Sequence, residues 1–546
     1  MKEVKLCTVV MVMIAVFLVG CSNNNTQNSQ KPSDQAASED KKANLQSPKP
    51  KIKVAVTEKA IPPSEGTLED NRWVRWINEN GPVEIEVVPI PPSADQMLQK
   101  YTTLFASGDA PDIIYSGHGD VMNALYNQKQ LLPLDELIEQ HSTVYKKKIE
   151  ENSVLKKLGT KDGQLYLLGG VASELYPNTI FYIRMDWLKK LNLSMPTNVE
   201  ELYKVAHAFT WNDPDGNGKD DTFGIQLSWV AEGALSNSFN DARWFVKDGS
   251  IVFDLQPAKA LAEFKREIYK EKLTDRDFLT DNKGAKATED WVNGKLGIYI
   301  QGAGLTLGKG YATFEAFKKN NPDGEIAVLP LFEGPYGTFS PYMQNPVDLE
   351  VAVNVNTKHP EAVMQYIDFM VLPSTQKMLT QGMEGIHYKS SNNECAEPID
   401  LEKNKLEMSA AFVFLETVEC HWKARLTLDP EKPLSSSFLE LIKEGEKYIN
   451  PNTPIPQFTH PTFMPKLPKD INLIEQEAFK AINDLWTQYI VGSVSKTSDD
   501  IYMETEDLWN KMNGKKVEQW YTQWYTENKD SWVFKQELYD TFPHPK

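Results

Sequence analysis

Apolar and polar positions alternate along Ile52-Lys53-Val54-Ala55-Val56 and along Val83-Glu84-Ile85-Glu86-Val87-Val88, where Val83, Ile85 and Val87 oppose Glu84 and Glu86. A period of two is the mark of a strand with one face buried. Between these runs, Trp73-Val74-Arg75-Trp76-Ile77 reads as helical. A helix over Met97–Phe105, a turn over Ser107-Gly108-Asp109-Ala110-Pro111-Asp112 and a buried strand Ile113-Ile114-Tyr115 follow. Strand–helix alternation of this kind predicts an α/β fold with a parallel sheet. The rhythm returns with strand Leu296–Ile300, helix Thr313–Lys319, strand Ile326–Pro330, strand Leu349–Val355 and helix Pro360–Met370. Beyond Asp470 the pattern is helical, with Ile474, Ala478, Ile482, Leu485 and Tyr489 on one face.

The apolar run Val9–Val19 has neither period. It follows Lys2 and Lys5 and ends in Leu18-Val19-Gly20-Cys21. Its eleven residues fall short of the roughly 20 that span a bilayer, so it reads as a secretory signal over residues 1–20 rather than an anchor helix. A cysteine after Leu-Val-Gly resembles a bacterial lipoprotein signal, which implies that Cys21 is lipidated and becomes the first residue of a membrane-anchored, extracytoplasmic protein. Residues 21–50 hold Leu45 as their only large apolar side chain and cannot bury enough to offset their ordering entropy; a disordered tether is expected.

Composition narrows the class. About 500 residues beyond the tether are too many for one core and predict two lobes. Without Lys2, Lys5 and Glu3 the chain keeps 56 basic and 75 acidic residues, a charge of −19, which makes nucleic acid and anionic lipid surfaces poor partners. Cys395 and Cys420 can form one disulfide or remain two separate thiols, and no C-x-x-C metal spacing exists.

No catalytic motif emerges. Gly302-Ala303-Gly304-Leu305-Thr306-Leu307-Gly308-Lys309-Gly310 mimics a phosphate loop, but Ala303 stands at the required first glycine and Gly310 at the magnesium-binding Ser/Thr. G-x-S-x-G and H-E-x-x-H are both missing. The positive signals are aromatic and acidic. Thirteen Trp and 21 Tyr exceed what packing needs, and several fall in turns and at strand ends, where flat rings can cover the C–H faces of a sugar. In Asp213-Pro214-Asp215-Gly216-Asn217-Gly218-Lys219-Asp220-Asp221, side-chain oxygens at positions 1, 3, 5 and 9 and the Lys219 carbonyl at position 7 can wrap a structural calcium ion. An ion-free acidic turn is the alternative. Gly224 at position 12 excludes the helix–loop–helix version, which needs Glu there.

Phe105-Ala106-Ser107-Gly108-Asp109-Ala110-Pro111-Asp112-Ile113-Ile114 resembles the turn-and-strand element of extracellular solute-binding proteins of ABC importers. Leu131-Leu132-Pro133-Leu134-Asp135, the run Tyr182–Leu191 and Asn293-Gly294-Lys295-Leu296-Gly297 are similar to later elements of that family, in order. The carbohydrate-binding group, in its large Gram-positive lipoprotein branch, is the nearest match. The resemblance implies a two-lobed α/β fold with a hinge and an interlobe cleft. Residues 51–170 and 348–392 are expected in the N-terminal lobe, and 171–347 and 393–546 in the C-terminal lobe. It also implies a monomeric protein that binds an oligosaccharide and hands it to ABC permease subunits. Calcium loops of alginate-binding relatives carry Glu at position 10, where this chain has Thr222, so water or the Thr222 hydroxyl is expected as the last ligand.

Alignment with maltose-binding members places His118, Asp120 and Gln301 against the ligand. Ser116 and Gly304 replace two stacking tryptophans, and Phe458 and Phe463 follow the matching Ile455-Pro456-Gln457. The loss of two platforms suits a bulkier ligand, or one held by different aromatics such as Trp229 or Trp244. The reading is therefore a lipid-anchored oligosaccharide-binding protein without enzymatic activity. A secreted glycan-cleaving enzyme and a ligand-sensing lipoprotein are its rivals.

Overall fold

The computed structural model describes residues 48–58, 65–172, 175–306, 308–341, 343, 345–389, 397–400, 412, 415, 428–450, 453–455, 466–528 and 533–540. Cys21, Cys395, Cys420, Phe458 and Phe463 lie outside the described residues, as do the predicted signal and residues 21–47.

The chain opens with β1 (Lys51–Thr57), α1 (Arg72–Asn80), β2 (Glu84–Ile90), α2 (Ala94–Ser107), β3 (Ile113–Tyr115) and α3 (Gly119–Asn127). Short helices α4 (Asp135–His141), α5 (Val144–Glu151) and α6 (Ser153–Gly159) lead to a hairpin of β4 (Thr160–Lys161) and β5 (Gln164–Leu165), then to β6 (Leu168–Val171). A second set runs β7 (Thr179–Arg184), α7 (Met185–Lys190), α8 (Val199–Trp211), β8 (Phe223–Ile225), α9 (Val230–Ser238), β9 (Trp244–Lys247), β10 (Ser250–Phe253), α10 (Gln256–Lys270) and α11 (Ala285–Val292). It continues through β11 (Leu296–Gly302), α12 (Lys309–Asn320) and β12 (Ile326–Val328). β13 (Val347–Val353) and α13 (Pro360–Met370) return to the first set.

Two sheets result, in the orders β2-β1-β3-β13-β6 and β12-β7-β11-β8. The expected parallel sheet is mixed: β1 pairs in parallel with β2 and β3, but β13 runs antiparallel to β3, with Val351 opposite Tyr115. The reason is topological, since β13 enters from the far lobe rather than through a crossover helix on its own sheet. In β1 alternate residues serve opposite faces. Ile52, Val54 and Val56 pack with Trp73 and Ile77 of α1 and Ile367 of α13, while Ala55 joins Met97, Tyr101 and Leu125 of α2 and α3. Helices on both faces are what a strand buried on both sides requires. Asn71 starts α1 by accepting the Trp73 and Val74 N–H groups on its side-chain oxygen, each at 3.0 Å.

The second sheet is fully buried along β7 and holds Ile180, Phe181, Ile298 and Ile300 in a separate core. Between the sheets, outgoing and returning segments run side by side. Val171 pairs with Val347, the Ala172 N–H donates to the Pro346 carbonyl at 2.9 Å, and Pro177 bridges Met343. Such paired connections form the hinge of a two-lobed fold. One part of the expected lobe division changes. Phe412 and Leu415, expected in the second lobe, sit in the first lobe's core, with Phe412 stacked on Trp73 at 6.3 Å between centroids.

A third core joins hairpin β9–β10 to the helices Lys469–Ile490, Ser498–Lys511 and Gly514–Glu527. Ala478, Ile482 and Tyr489 face it, as their spacing predicts.

Candidate functional site

In a doubly wound sheet, the carboxyl ends of the strands open onto the crevice where ligands gather. β3 ends at Tyr115, and the Ser116 N–H then donates to the Glu350 carbonyl at 2.8 Å. Ser116 is buried, and its hydroxyl oxygen accepts the His118 N–H at 3.0 Å. This local turn places His118 at the start of α3, with its Nε2 2.9 Å from the Pro92 carbonyl. Asp120 follows in the first turn, where a carboxylate suits the helix dipole, and it meets Lys466 at 3.4 Å.

On the second sheet, the chain leaves β8 through a turn at Trp229. Its φ of 53° and ψ of −120°, with an Ala231 N–H to Ser228 carbonyl bond of 3.2 Å, describe a type II′ turn. Glycine normally takes that position; a tryptophan there costs on the order of 1–3 kcal/mol, and such strain clusters at functional sites. Neighbours hold the turn. Ser228 Oγ donates to Asp281 at 2.9 Å, and Gln226 Nε2 donates to the Ser228 carbonyl at 3.0 Å. Asp281 also accepts the Lys286 and Ala287 N–H groups at 3.2 and 3.1 Å, tying the start of α11 to the turn. Gly284 lets the indole pack against it: a Cβ there would lie 2.5 Å from Trp229 Cε3. The Lys309 ammonium sits 4.1 Å from the ring centroid. Trp229 stays half-buried.

Other expected positions fall differently. Gln301 is fully buried, and its Nε2 donates to the Lys309 carbonyl at 3.2 Å and to Thr313 Oγ1 at 2.9 Å. On β11 it alternates with Gly302, and its side-chain amide nitrogen braces the start of α12. Trp244 is a core residue, 7% exposed, with its ring against Phe253, Phe479, Trp509 and Tyr521. Hairpin β9–β10 turns it inward, whereas Trp229 stays half-buried. Gly304 and Gly310 of the mock phosphate loop serve close packing, since a Cβ on Gly310 would meet the Gly304 carbonyl oxygen at 2.1 Å. Lys309 escaped the sequence reading because nothing in that loop's pattern signals a partner for its side chain.

In the acidic loop, Asn217 Nδ2 donates to Asp215 at 2.7 Å and to Asp221 at 3.0 Å. Asp213 caps the turn through the Gly218 N–H at 3.2 Å. Burial, together with Asp213 and Asp221 nearby, raises the Asp215 pKa. The Asp221 pKa is held down by Asn217 and then by Lys295, whose Nζ lies 3.2 Å away. Oxygens thus converge on a single amide group, and the donor set suits a hard cation. The Thr222 hydroxyl, expected as a last ligand, is instead buried and donates to the Phe209 carbonyl at 2.8 Å, because the chain is already turning into β8. Among the described residues, no cluster of three or more His, Cys, Asp or Glu side chains has metal-binding geometry.

Known proteins share this architecture. Lipoprotein LipO of Bacillus subtilis (strain 168) is 25% identical over 538 residues, covering 92% of this chain and 95% of LipO. The polygalacturonan/rhamnogalacturonan-binding protein YtcQ of the same organism is 23% identical over 482 residues, covering 84% and 89%. The solved structure of an EF-hand mutant of the Streptococcus pneumoniae ABC-transporter substrate-binding protein FusA, in complex with fructo-nystose, superposes with a TM-score of 0.58 at 20% identity, covering 88% of this chain and 99% of FusA. The family model of bacterial extracellular solute-binding proteins matches residues 72–377, which include strands of both sheets, and the chain belongs to that family.

Proposed function

We propose that this chain captures an oligosaccharide between its lobes and delivers it to the permease subunits of an ABC importer, working as a monomer anchored through a lipidated Cys21. The observation that carries the reading is Trp229, a large half-buried ring held in a strained turn at the second lobe's edge. A stacking surface for sugar C–H faces is the use that repays such strain. His118 and Asp120, beyond the end of β3, supply hydrogen-bonding groups from the first lobe. Lobe closure about the paired segments at Val171–Val347 would trap the sugar and form the surface a permease reads. Relatives named for polygalacturonan, rhamnogalacturonan and fructo-oligosaccharides support a glycan ligand.

The acidic loop is proposed to hold a structural calcium through Asp213, Asp215, Asn217, Asp221 and the Lys219 carbonyl. FusA, whose structure includes an EF-hand mutant, supports that assignment. A bound ion would cancel the repulsion among three crowded carboxylates and rigidify the link from α8 to β8.

A thermal-shift screen of the purified chain against oligosaccharides tests the function, because a ligand that binds only the folded form raises Tm by mass action. A shift with intact sugar recovered after long incubation supports capture. Cleaved product would instead establish a glycan-active enzyme.

A further inference from the structure

We propose that the sugar taken at Trp229 carries a carboxylate, making the ligand a uronate-containing oligosaccharide, and that Lys309 is the residue that reads it. The proposal rests on the reading of Trp229 as the stacking platform. The ring is packed against Gly284, and the Lys309 ammonium covers it at 4.1 Å from the centroid. A sugar stacking there meets that ammonium. A neutral sugar has to displace the cation from the aromatic face and offers no charge in return. A uronate offers a charge-assisted hydrogen bond to the same cation.

Lys309 is available for that role. Among the described residues its Nζ has no carboxylate or carbonyl partner, although acidic residues outnumber basic ones by 76 to 58 in the chain. Partial burial lowers its pKa, and no neighbouring carboxylate opposes the shift. Its backbone is fixed, because buried Gln301 holds the Lys309 carbonyl and Gly310 packs directly on Gly304. The Tyr182 hydroxyl donates to the Gly304 carbonyl from below. A cation is therefore presented from a rigid base, beside an aromatic ring that is also held rigidly. One unpaired ammonium suits one carboxylate, in contrast to the broad basic patch a dense polyanion would need.

Calorimetry on the full chain tests this with trimers of galacturonate, glucuronate and mannuronate, their methyl esters, and neutral kestose. At least one acidic trimer should bind more tightly than its ester. Lys309→Gln should weaken that acid at least about 10-fold and bind the ester at least as tightly as the parent does, and Lys309→Arg should retain most of the affinity. Equal binding of acid and ester, or an equal loss on both in Lys309→Gln, overturns the proposal. So does a lowered Tm in Lys309→Gln with both affinities intact, which would make Lys309 a packing residue. Binding of kestose alone sinks the uronate assignment and leaves oligosaccharide capture standing. No binding of any sugar sinks both.

Discussion

Lys466 meets Asp120 at 3.4 Å, joining the segment that leads into the C-terminal helices to the first turn of α3. Asp120 is thereby held beyond the end of β3. Both side chains are partly exposed to solvent, so the pair itself contributes only about 0–1 kcal/mol. Asp120→Ala should weaken binding of the best oligosaccharide by about 5- to 150-fold, the equivalent of about 1–3 kcal/mol, and leave the unliganded Tm nearly unchanged. Calorimetry decides it; full affinity in Asp120→Ala would put the cleft elsewhere.

Gln301 behaves differently because it is buried with both donors used. Gln301→Ala should cost about 1–3 kcal/mol of stability by removing two hydrogen bonds from a fully buried site, while Thr313 Oγ1 goes on donating to the Lys309 carbonyl at 3.0 Å. Any loss of affinity should come through a displaced Lys309. A variant that melts like the parent but binds poorly would restore Gln301 as a direct ligand contact.

Trp229 allows a comparison of two truncations. Trp229→Ala and Trp229→Gly both remove the indole, but only glycine adopts φ 53°, ψ −120° without strain. The glycine variant should be the more stable by about 1 kcal/mol, and neither should bind sugar with the parent's affinity. Urea denaturation ranks them, and an alanine variant of equal or greater stability would mean the turn is unstrained.

Chelation should lower Tm, and Asp215→Ala should abolish that response while weakening sugar binding only indirectly. Elemental analysis accompanies the melt. An unchanged curve in excess chelator, with no calcium found, removes the site.

Asp368 of α13 caps the start of α5. It accepts Ser142 Oγ at 2.7 Å and the N–H groups of Thr143, Val144 and Tyr145 at 2.7, 3.0 and 3.0 Å. Burial opposes its charge, but these donors outweigh it and hold the pKa below the ordinary carboxylate value. A depressed folded pKa stabilises above the unfolded value of about 3.9, and that contribution fades as pH falls through the folded pKa. Asp368→Asn should therefore cost about 1–3 kcal/mol at neutral pH. Its deficit should shrink in strong acid; a deficit that does not change with pH would mean the cap does not depend on charge.

The sequence by itself determined what depends on local periodicity and local chemistry. Alternation at Ile52–Val56 and Val83–Val88, the apolar face of the helix after Asp470 and the family elements from Phe105 to Gly297 were all legible, because the pleat and the helical turn impose fixed repeats. The acidic loop was legible for the same reason, its oxygens lying within nine consecutive residues. Tertiary structure alone decided which aromatic stays open and which is buried. Trp229 and Trp244 look alike in sequence, yet one occupies a strained turn and the other fills a core closed by helices more than 200 residues away. Gln301 and Lys309 likewise exchanged places: one residue on a buried strand became the brace, and the other, eight positions on, became the exposed cation over the ring. Side-chain direction there follows from sheet register and from a backbone-to-backbone contact between Gly304 and Gly310, and neither leaves a periodic trace in the sequence.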